Sequence, residues 1–327
     1  MAGTREVPCN LCGSRDCTVL FTAKDRLHGL EGRFTYVQCN QCSLVYMNPQ
    51  VIPEDAGQLY PRDYAPHAGT SNKRRSTVRS MRSKIGGVPI LGSCLRMILN
   101  VKIARHIWRM LDQDSRVLDV GCGAGAFLNE VRRAKACEVQ GIDISEAAVR
   151  RAKESYNLDI FHGNITDAPY PPNHFDLITA WWYLEHVPNL NAVVSKMTEL
   201  LRDDGHCVIG VPNHHSLQAR RFKDKWYHLD CPRHLCIFTP GAIRRLLAAH
   251  GLSVTKIVYD KTPWGLLGSL QYAIYGDNVN PKHRNRIRQS LVLWIILLPW
   301  TIVMSLLVKS DIMVVYARKG TSATDGL

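Results

Sequence analysis

Short apolar runs bounded by glycine and polar turns alternate, from about position 116 to 250, with stretches whose apolar residues recur at helical spacing. The pattern predicts strands near 116, 138, 158, 176 and 207 and helices near 126, 148, 193 and 243. Repeated strand–helix–strand units of this kind fold as a parallel sheet covered by helices, so the fold class is α/β. A helix from Leu91 to Leu111 leads into the first strand, and Leu252 to Tyr259 and Ile312 to Ala317 alternate as two further strands. Ahead of this block, Val19-Leu20-Phe21 and Phe34-Thr35-Tyr36-Val37 predict the strands of a small module over residues 1–50. Periodicity is lost over 51–90, which reads as a linker, and 320–327 reads as a tail.

Composition narrows the function classes. A chain of 327 residues with 46% hydrophobic content can bury one full α/β domain plus a small module, and is not largely disordered. Lys and Arg total 41 against 28 Asp and Glu, a formal charge of +13, which favours an anionic partner: nucleic acid, a phosphorylated substrate or an acidic lipid surface. The linker concentrates Lys73, Arg74, Arg75, Arg79, Arg82 and Lys84, but no aromatic interleaving or RNA-binding signature accompanies it, which argues against nucleic acid. The N-terminus lacks the apolar core of a secretory signal, so a cytosol-facing protein is expected. Its eleven cysteines then read as thiols and metal ligands rather than disulfides.

Four of those cysteines form two knuckles, Cys9-x-x-Cys12 and Cys39-x-x-Cys42, separated by 26 residues. Paired knuckles of this kind share one tetrahedral zinc ion, and four thiolates leave no coordination position open for catalysis. The module is therefore expected to be a structural zinc ribbon, with Cys17 outside the ligand set.

The run Val117-Leu118-Asp119-Val120-Gly121-Cys122-Gly123-Ala124-Gly125-Ala126-Phe127-Leu128 compresses a buried strand, a glycine turn and the first turn of a helix into twelve residues. Glycines at alternate positions let the backbone approach a nucleoside where a Cβ would collide. Gly121-x-Gly123-x-x-Ala126, with Asp143 about 20 residues on, also satisfies the dinucleotide fingerprint. Asp119, however, lies inside the strand, where a carboxylate suits a cationic ligand and is poorly placed beside a pyrophosphate.

Asp119-x-Gly121-x-Gly123-x-Gly125, Asp143, Asn164 after the third strand and Glu185-His186 after the fourth together resemble the motifs of class I S-adenosylmethionine-dependent methyltransferases over roughly residues 90 to 319. The resemblance implies a Rossmann-like sheet with an antiparallel edge pair formed by the last two strands. It implies S-adenosylmethionine as cofactor, with Asp119 at its methionine end, Asp143 on the ribose hydroxyls and Asn164 near the adenine. Gly121, Cys122, Gly123, Gly125, Ile144, Ile165 and Trp181 complete the expected cofactor crevice. The N-terminal module, down to Met47-Asn48-Pro49, is similar to the zinc-binding module of methyltransferases from sugar and cell-surface glycan pathways.

Methyl transfer to a hydroxyl needs placement, exclusion of water and a base. His186 follows the fourth strand at the sheet edge where ligands of open α/β folds bind, and is the expected base, with His228 and His234 as the other catalytic candidates. The latter two lie in Lys225-Trp226-Tyr227-His228-Leu229-Asp230-Cys231-Pro232-Arg233-His234-Leu235, which reads as a lid able to orient a polar acceptor. His228, Cys231, His234 and Cys236 lack paired-knuckle spacing for a second metal site. Quinone O-methyltransferases that hold a divalent metal with a Glu-x-x-Glu-His run resemble this region, but Trp182 stands in place of the first Glu, which argues against a catalytic metal.

Leu291 to Val308 holds only apolar, Ser, Thr and Pro side chains, long enough to span a bilayer, within an insertion over 261–309. A single crossing would separate the two edge strands, and Pro299 divides the run, so a shallow helical hairpin in one leaflet is expected, with Lys282, His283, Arg284, Arg286 and Arg288 on acidic headgroups. Burial in the core or in an oligomer interface is the alternative. The functional expectation is O-methylation of a sugar, glycan or lipid-linked small acceptor at the cytosolic membrane face. The alternatives are a quinone or polyprenyl-type methyltransferase and a cofactor-binding scaffold that recruits a partner through the zinc ribbon.

Overall fold

Seven strands build the central sheet of the computed structural model, which describes residues 3–52, 55, 57, 59, 60, 106–276, 287, 288 and 290–320. In chain order these are β6 (Arg116–Val120), β7 (Glu138–Asp143), β8 (Ile160–His162), β9 (Phe175–Trp181), β10 (Leu201–Pro212), β12 (Leu252–Tyr259) and β13 (Ile312–Lys319). Their spatial order is β12-β13-β10-β9-β6-β7-β8. The strands from β10 to β8 run parallel, whereas β13 pairs antiparallel with both β10 and β12, giving the expected edge pair. Leu118, Val120, Leu177, Ile178, Val208 and Ile209 are all fully buried, as strands covered on both faces require.

Helices α1 (Ala126–Lys135), α2 (Glu146–Tyr156), α3 (Leu190–Leu200) and α5 (Pro240–Ala248) lie close to the positions their periodicity predicts. Of the leading helix expected over Leu91 to Leu111, residues 91–105 lie outside the described residues, as do the basic linker and the tail, and 106–108 are helical.

The small module comprises β1 (Thr4–Arg5), β2 (Cys17–Ala23), β3 (Phe34–Cys39), β4 (Val45–Met47) and β5 (Gln50–Val51). It is not an independent bead. Its sheet, ordered β11-β4-β3-β2, takes its last strand, β11 (Cys236–Ile237), from the connection between β10 and α5. Tyr36, Tyr46, Ile237 and Phe238 join the hydrophobic core of the larger sheet. The supposed lid is thus a strap stitched to the module, because its exposed strand edge finds partners there.

The expected hairpin over 291–308 is not formed. Instead α7 (Leu291–Leu306) is one helix of 16 residues with Pro299 inside it, lying beside α6 (Trp264–Tyr275). Side-chain tethers in the turns that follow the proline accompany this continuity: Thr301 Oγ1 donates to the Lys261 and Leu298 carbonyls, and Ser305 Oγ to the Tyr259 carbonyl. Trp294, Thr301 and Ser305 face the protein, while Val292, Ile295, Ile296, Val303 and Leu306 are exposed. Among the described residues no helix is long and apolar enough to cross a membrane. Lys282 to Arg286 lie outside the described residues. Arg288 does not face outward as expected; its guanidinium lies 4.6 Å from the Trp264 ring centroid and 5.1 Å from that of Tyr227.

Candidate active site

The glycine turn follows β6 directly. The amides of Gly121 and Cys122 both donate to the Ile142 carbonyl, and Gly121, Gly123 and Gly125 all have positive φ. A Cβ on Gly121 would meet the Tyr183 ring at 2.6 Å, and one on Gly125 would meet Leu158 at 2.6 Å. Glycine is therefore demanded at these two positions by the protein's own packing and by backbone conformation, and not only by the approach of a ligand.

Asp143 ends β7 and ties the turn to α2. Its Oδ2 accepts the Gly123 amide at 2.7 Å and its Oδ1 the Ser145 amide at 2.9 Å. Each oxygen retains a lone pair for a ribose hydroxyl. Asp119 is buried in β6, and its register partner across β9 is Thr179, whose hydroxyl donates to Asp119 Oδ1 at 2.7 Å. Burial, only partly offset by that hydrogen bond, pushes the Asp119 carboxyl up to about 7. No basic side chain forms an ion pair with it among the described residues, so a ligand carrying positive charge fits.

The other expected cofactor residues are distributed around this crevice. Ile144 is 66% exposed beside Asp143, as a side chain that covers a ligand would be, and Asn164 is exposed after β8. Ile165 is fully buried in the core, and Trp181 lies edge-on to Phe127 and over Gly210, so these two support the crevice from within. Cys122 is half-buried, with its Sγ 2.7 Å from where a Cβ on Gly141 would lie.

At the end of β9 the structure joins two segments distant in sequence. His186 Nδ1 donates to the Arg233 carbonyl at 3.0 Å and also lies 3.2 Å from the Tyr60 hydroxyl. The His186 and His234 ring centroids are 4.7 Å apart, edge to face. Burial lowers His234 to about 3, and likewise His228, so both imidazoles are neutral near pH 7. His228 is turned away from this pair: it stacks on Trp182, 5.5 Å between centroids, and packs against Gly265 of α6. The structure thus does not bring His228 together with His186 and His234; His228 packs between Trp182 and α6. No local motif in the sequence marks Tyr60, or Thr179 as the partner of Asp119.

In the small module, the sulfurs of Cys9, Cys12, Cys39 and Cys42 lie within 4.8 Å of one another, with Cys9–Cys42 at 3.4 Å and Cys12–Cys39 at 3.5 Å. Tetrahedral thiolate ligands on zinc, with bonds of about 2.3 Å, stand about 3.8 Å apart, so the donor set fits that ion. Cys17 is outside the group, as expected, and among the described residues Cys231 and Cys236 join no metal-like cluster.

The crevice, the sheet order and the acidic residues at the tips of β6 and β7 converge with comparison to known proteins. Residues 97–257 match the model of a methyltransferase domain. The chain carries a class I S-adenosylmethionine-dependent methyltransferase domain. Its methyltransferase relatives include the ubiquinone biosynthesis O-methyltransferase of Glaesserella parasuis, 35% identical over 108 residues, covering 30% of this chain and 45% of that protein. The demethylmenaquinone methyltransferase of Staphylococcus saprophyticus is 30% identical over 100 residues, 29% of this chain and 43% of that one. The chain thus spans less than half the length of either relative. A solved S-adenosylmethionine-dependent methyltransferase from Archaeoglobus fulgidus superposes with a TM-score of 0.47 at 20% identity, over 68% of this chain and 94% of that one.

Proposed function

We propose that this methyltransferase O-methylates a small, lipid-linked acceptor presented at a membrane surface, of the quinone or polyprenyl class rather than the sugar class that the module's resemblance suggests. The observation that carries the cofactor half is the pair of carboxylates at the ends of β6 and β7: Asp143 on the glycine turn and Asp119 buried with no cationic partner among the described residues. The acceptor half is supported by the exposed apolar face of α7 and by relatives named for ubiquinone and menaquinone biosynthesis.

When bound, S-adenosylmethionine supplies an activated methyl group. Asp143 accepts its ribose hydroxyls, Asp119 faces its positively charged end, and Ile144 covers the base. His186, its Nδ1 proton held on the Arg233 carbonyl, presents Nε2 as the basic nitrogen for the acceptor's hydroxyl proton. Tyr60 and the strap exclude water from that side. The small module holds the strap and carries a structural zinc ion on its four cysteines.

Methyl transfer from labelled S-adenosylmethionine into cell extracts, separated into lipid and polar pools, tests this reading. Label is expected in the lipid pool with wild-type protein, and lowered ~10²- to 10⁴-fold with His186→Ala, the range for loss of a general base. Label confined to the polar pool would overturn the acceptor class. No transfer into either pool, with no binding of S-adenosylmethionine, would overturn the activity.

A further inference from the structure

Trp182 follows β9 directly, and its φ of +55° lies in the left-handed region that bulky side chains rarely enter. Two contacts fix it there. Its amide donates to the Gly210 carbonyl of β10 at 2.9 Å, and its indole stacks on the His228 imidazole at 18° from parallel. The imidazole cannot yield inward, because it lies so close to Gly265 of α6 that a Cβ there would collide with its ring. The preceding Trp181 packs over Gly210, whereas Trp182 remains 41% exposed, and among the described residues no second ring covers its other face. Backbone held in a sparsely populated conformation to keep a large apolar ring at the surface points to a use for that ring.

Its place on the sheet says which use. Neighbouring strands run in the order β10-β9-β6-β7, all parallel, and ligands of open α/β sheets bind beyond their carboxyl ends. The segments after β6 and β7 carry the glycine turn, Asp143 and Ile144, the side assigned above to the cofactor. The segments after β9 and β10 form the other side, where Trp182 and Leu217 are exposed and His186 follows Trp182 by four residues. Two buried polar side chains there are turned inward: Asn213 Nδ2 donates to the Ser310 carbonyl and Ser216 Oγ to Asp311 Oδ1. An open indole face takes a second aromatic ring in offset stacking. A phenolic hydroxyl, with a pKa of about 10 as in tyrosine, is also far easier for an imidazole base to deprotonate than an aliphatic alcohol. We propose that the outer face of Trp182 seats the planar ring of an aromatic acceptor, a phenol or hydroquinone, and so selects it over an aliphatic alcohol of similar size. This narrows the acceptor class of the methyl-transfer reading, on which it rests.

Catechol and trans-cyclohexanediol, two rings of one size with and without aromaticity, separate the alternatives. Each is titrated by calorimetry into full-length protein saturated with S-adenosylhomocysteine. Wild-type protein is expected to prefer catechol. Trp182→Leu should weaken catechol about two- to tenfold, the worth of an aromatic pair, and bind cyclohexanediol and S-adenosylhomocysteine as before. Unchanged affinity for S-adenosylhomocysteine shows that the variant is folded around its cofactor crevice. Wild-type protein labelled with fluorotryptophan gives a second readout that does not depend on that variant. Catechol should shift the Trp182 fluorine resonance, assigned by its loss in Trp182→Phe, and cyclohexanediol should leave it in place. Equal affinity of wild-type protein for the two rings, or catechol binding that is not weakened by Trp182→Leu, overturns the proposal. Catechol that binds at Trp182 yet accepts no methyl group from S-adenosylmethionine upholds the seat and falls on the methyl-transfer reading instead.

Discussion

Arg233, in the strap, and Asp25, in the small module, form a bidentate ion pair with both side chains completely buried, at 2.9 and 2.8 Å. Asp230 accepts from the same guanidinium, and Asp25 also accepts the Leu27 and His28 amides. Asp25→Ala would leave Arg233 short of a carboxylate in the interior. Breaking a buried pair from one side costs about 3–5 kcal/mol, so denaturant unfolding should show a loss of that size. Burial alone would raise the Asp25 carboxyl, but the hydrogen bonds and charge of Arg233 hold it below its ordinary 3.8. The pair's stabilisation is therefore complete above about pH 4 and is lost as pH falls through the lower folded-state value. Unchanged stability in the variant would show that the module and strap are held by other contacts.

Cofactor binding should depend on pH through Asp119. Its carboxyl, raised to about 7 by burial, is partly protonated at neutral pH, and a positively charged ligand binds the ionised form more tightly. Affinity for S-adenosylmethionine is expected to fall about tenfold per pH unit below 7 and to level off above 8. Calorimetry over this range checks it, and Asp119→Asn should flatten the profile.

Asp143→Ala removes both the ribose acceptor and the tie between the glycine turn and α2. A loss of ~1.5–3 kcal/mol in cofactor affinity is expected, as for hydrogen bonds to a charged group. Equal affinity in the variant would place the ribose elsewhere.

Zinc is expected at one equivalent on Cys9, Cys12, Cys39 and Cys42. Burial pushes the Cys9 thiol up to about 11, so the bound cation itself would have to draw off the proton. In Cys39→Ser, Cys42→Ser protein, elemental analysis should show that equivalent gone, and proteolysis should cut within residues 3–52 first. Retained thiolate-bound metal would refute the ligand set.

The outward face of α7 should bind membranes. Ile296 and Leu306 are 63% and 71% exposed, so Ile296→Glu with Leu306→Glu leaves the buried Trp294, Thr301 and Ser305 contacts in place. Wild-type protein is expected to float with phosphatidylserine-containing liposomes, and the double variant to remain in the aqueous fraction. Wild-type protein that ignores the liposomes would point to another apolar partner for this face.

By itself the sequence determined the seven strands in their succession along the chain, the glycine turn with its two acidic neighbours, and the four cysteines that the structure brings together. Each of these is carried by local signals: apolar periodicity, residues that tolerate positive φ, and knuckle spacing close to the polypeptide chain's own turns. Only the tertiary structure decided where Glu185, His186 and His234 meet, because their proximity depends on β11 pairing with β4 and on Arg233 reaching Asp25, contacts spanning about 190 to 208 residues. It also decided the form of the apolar run. Pro299 signals a break when read locally, yet its helix is continuous, and Thr301 and Ser305 tether it to distant carbonyls of the backbone leaving β12.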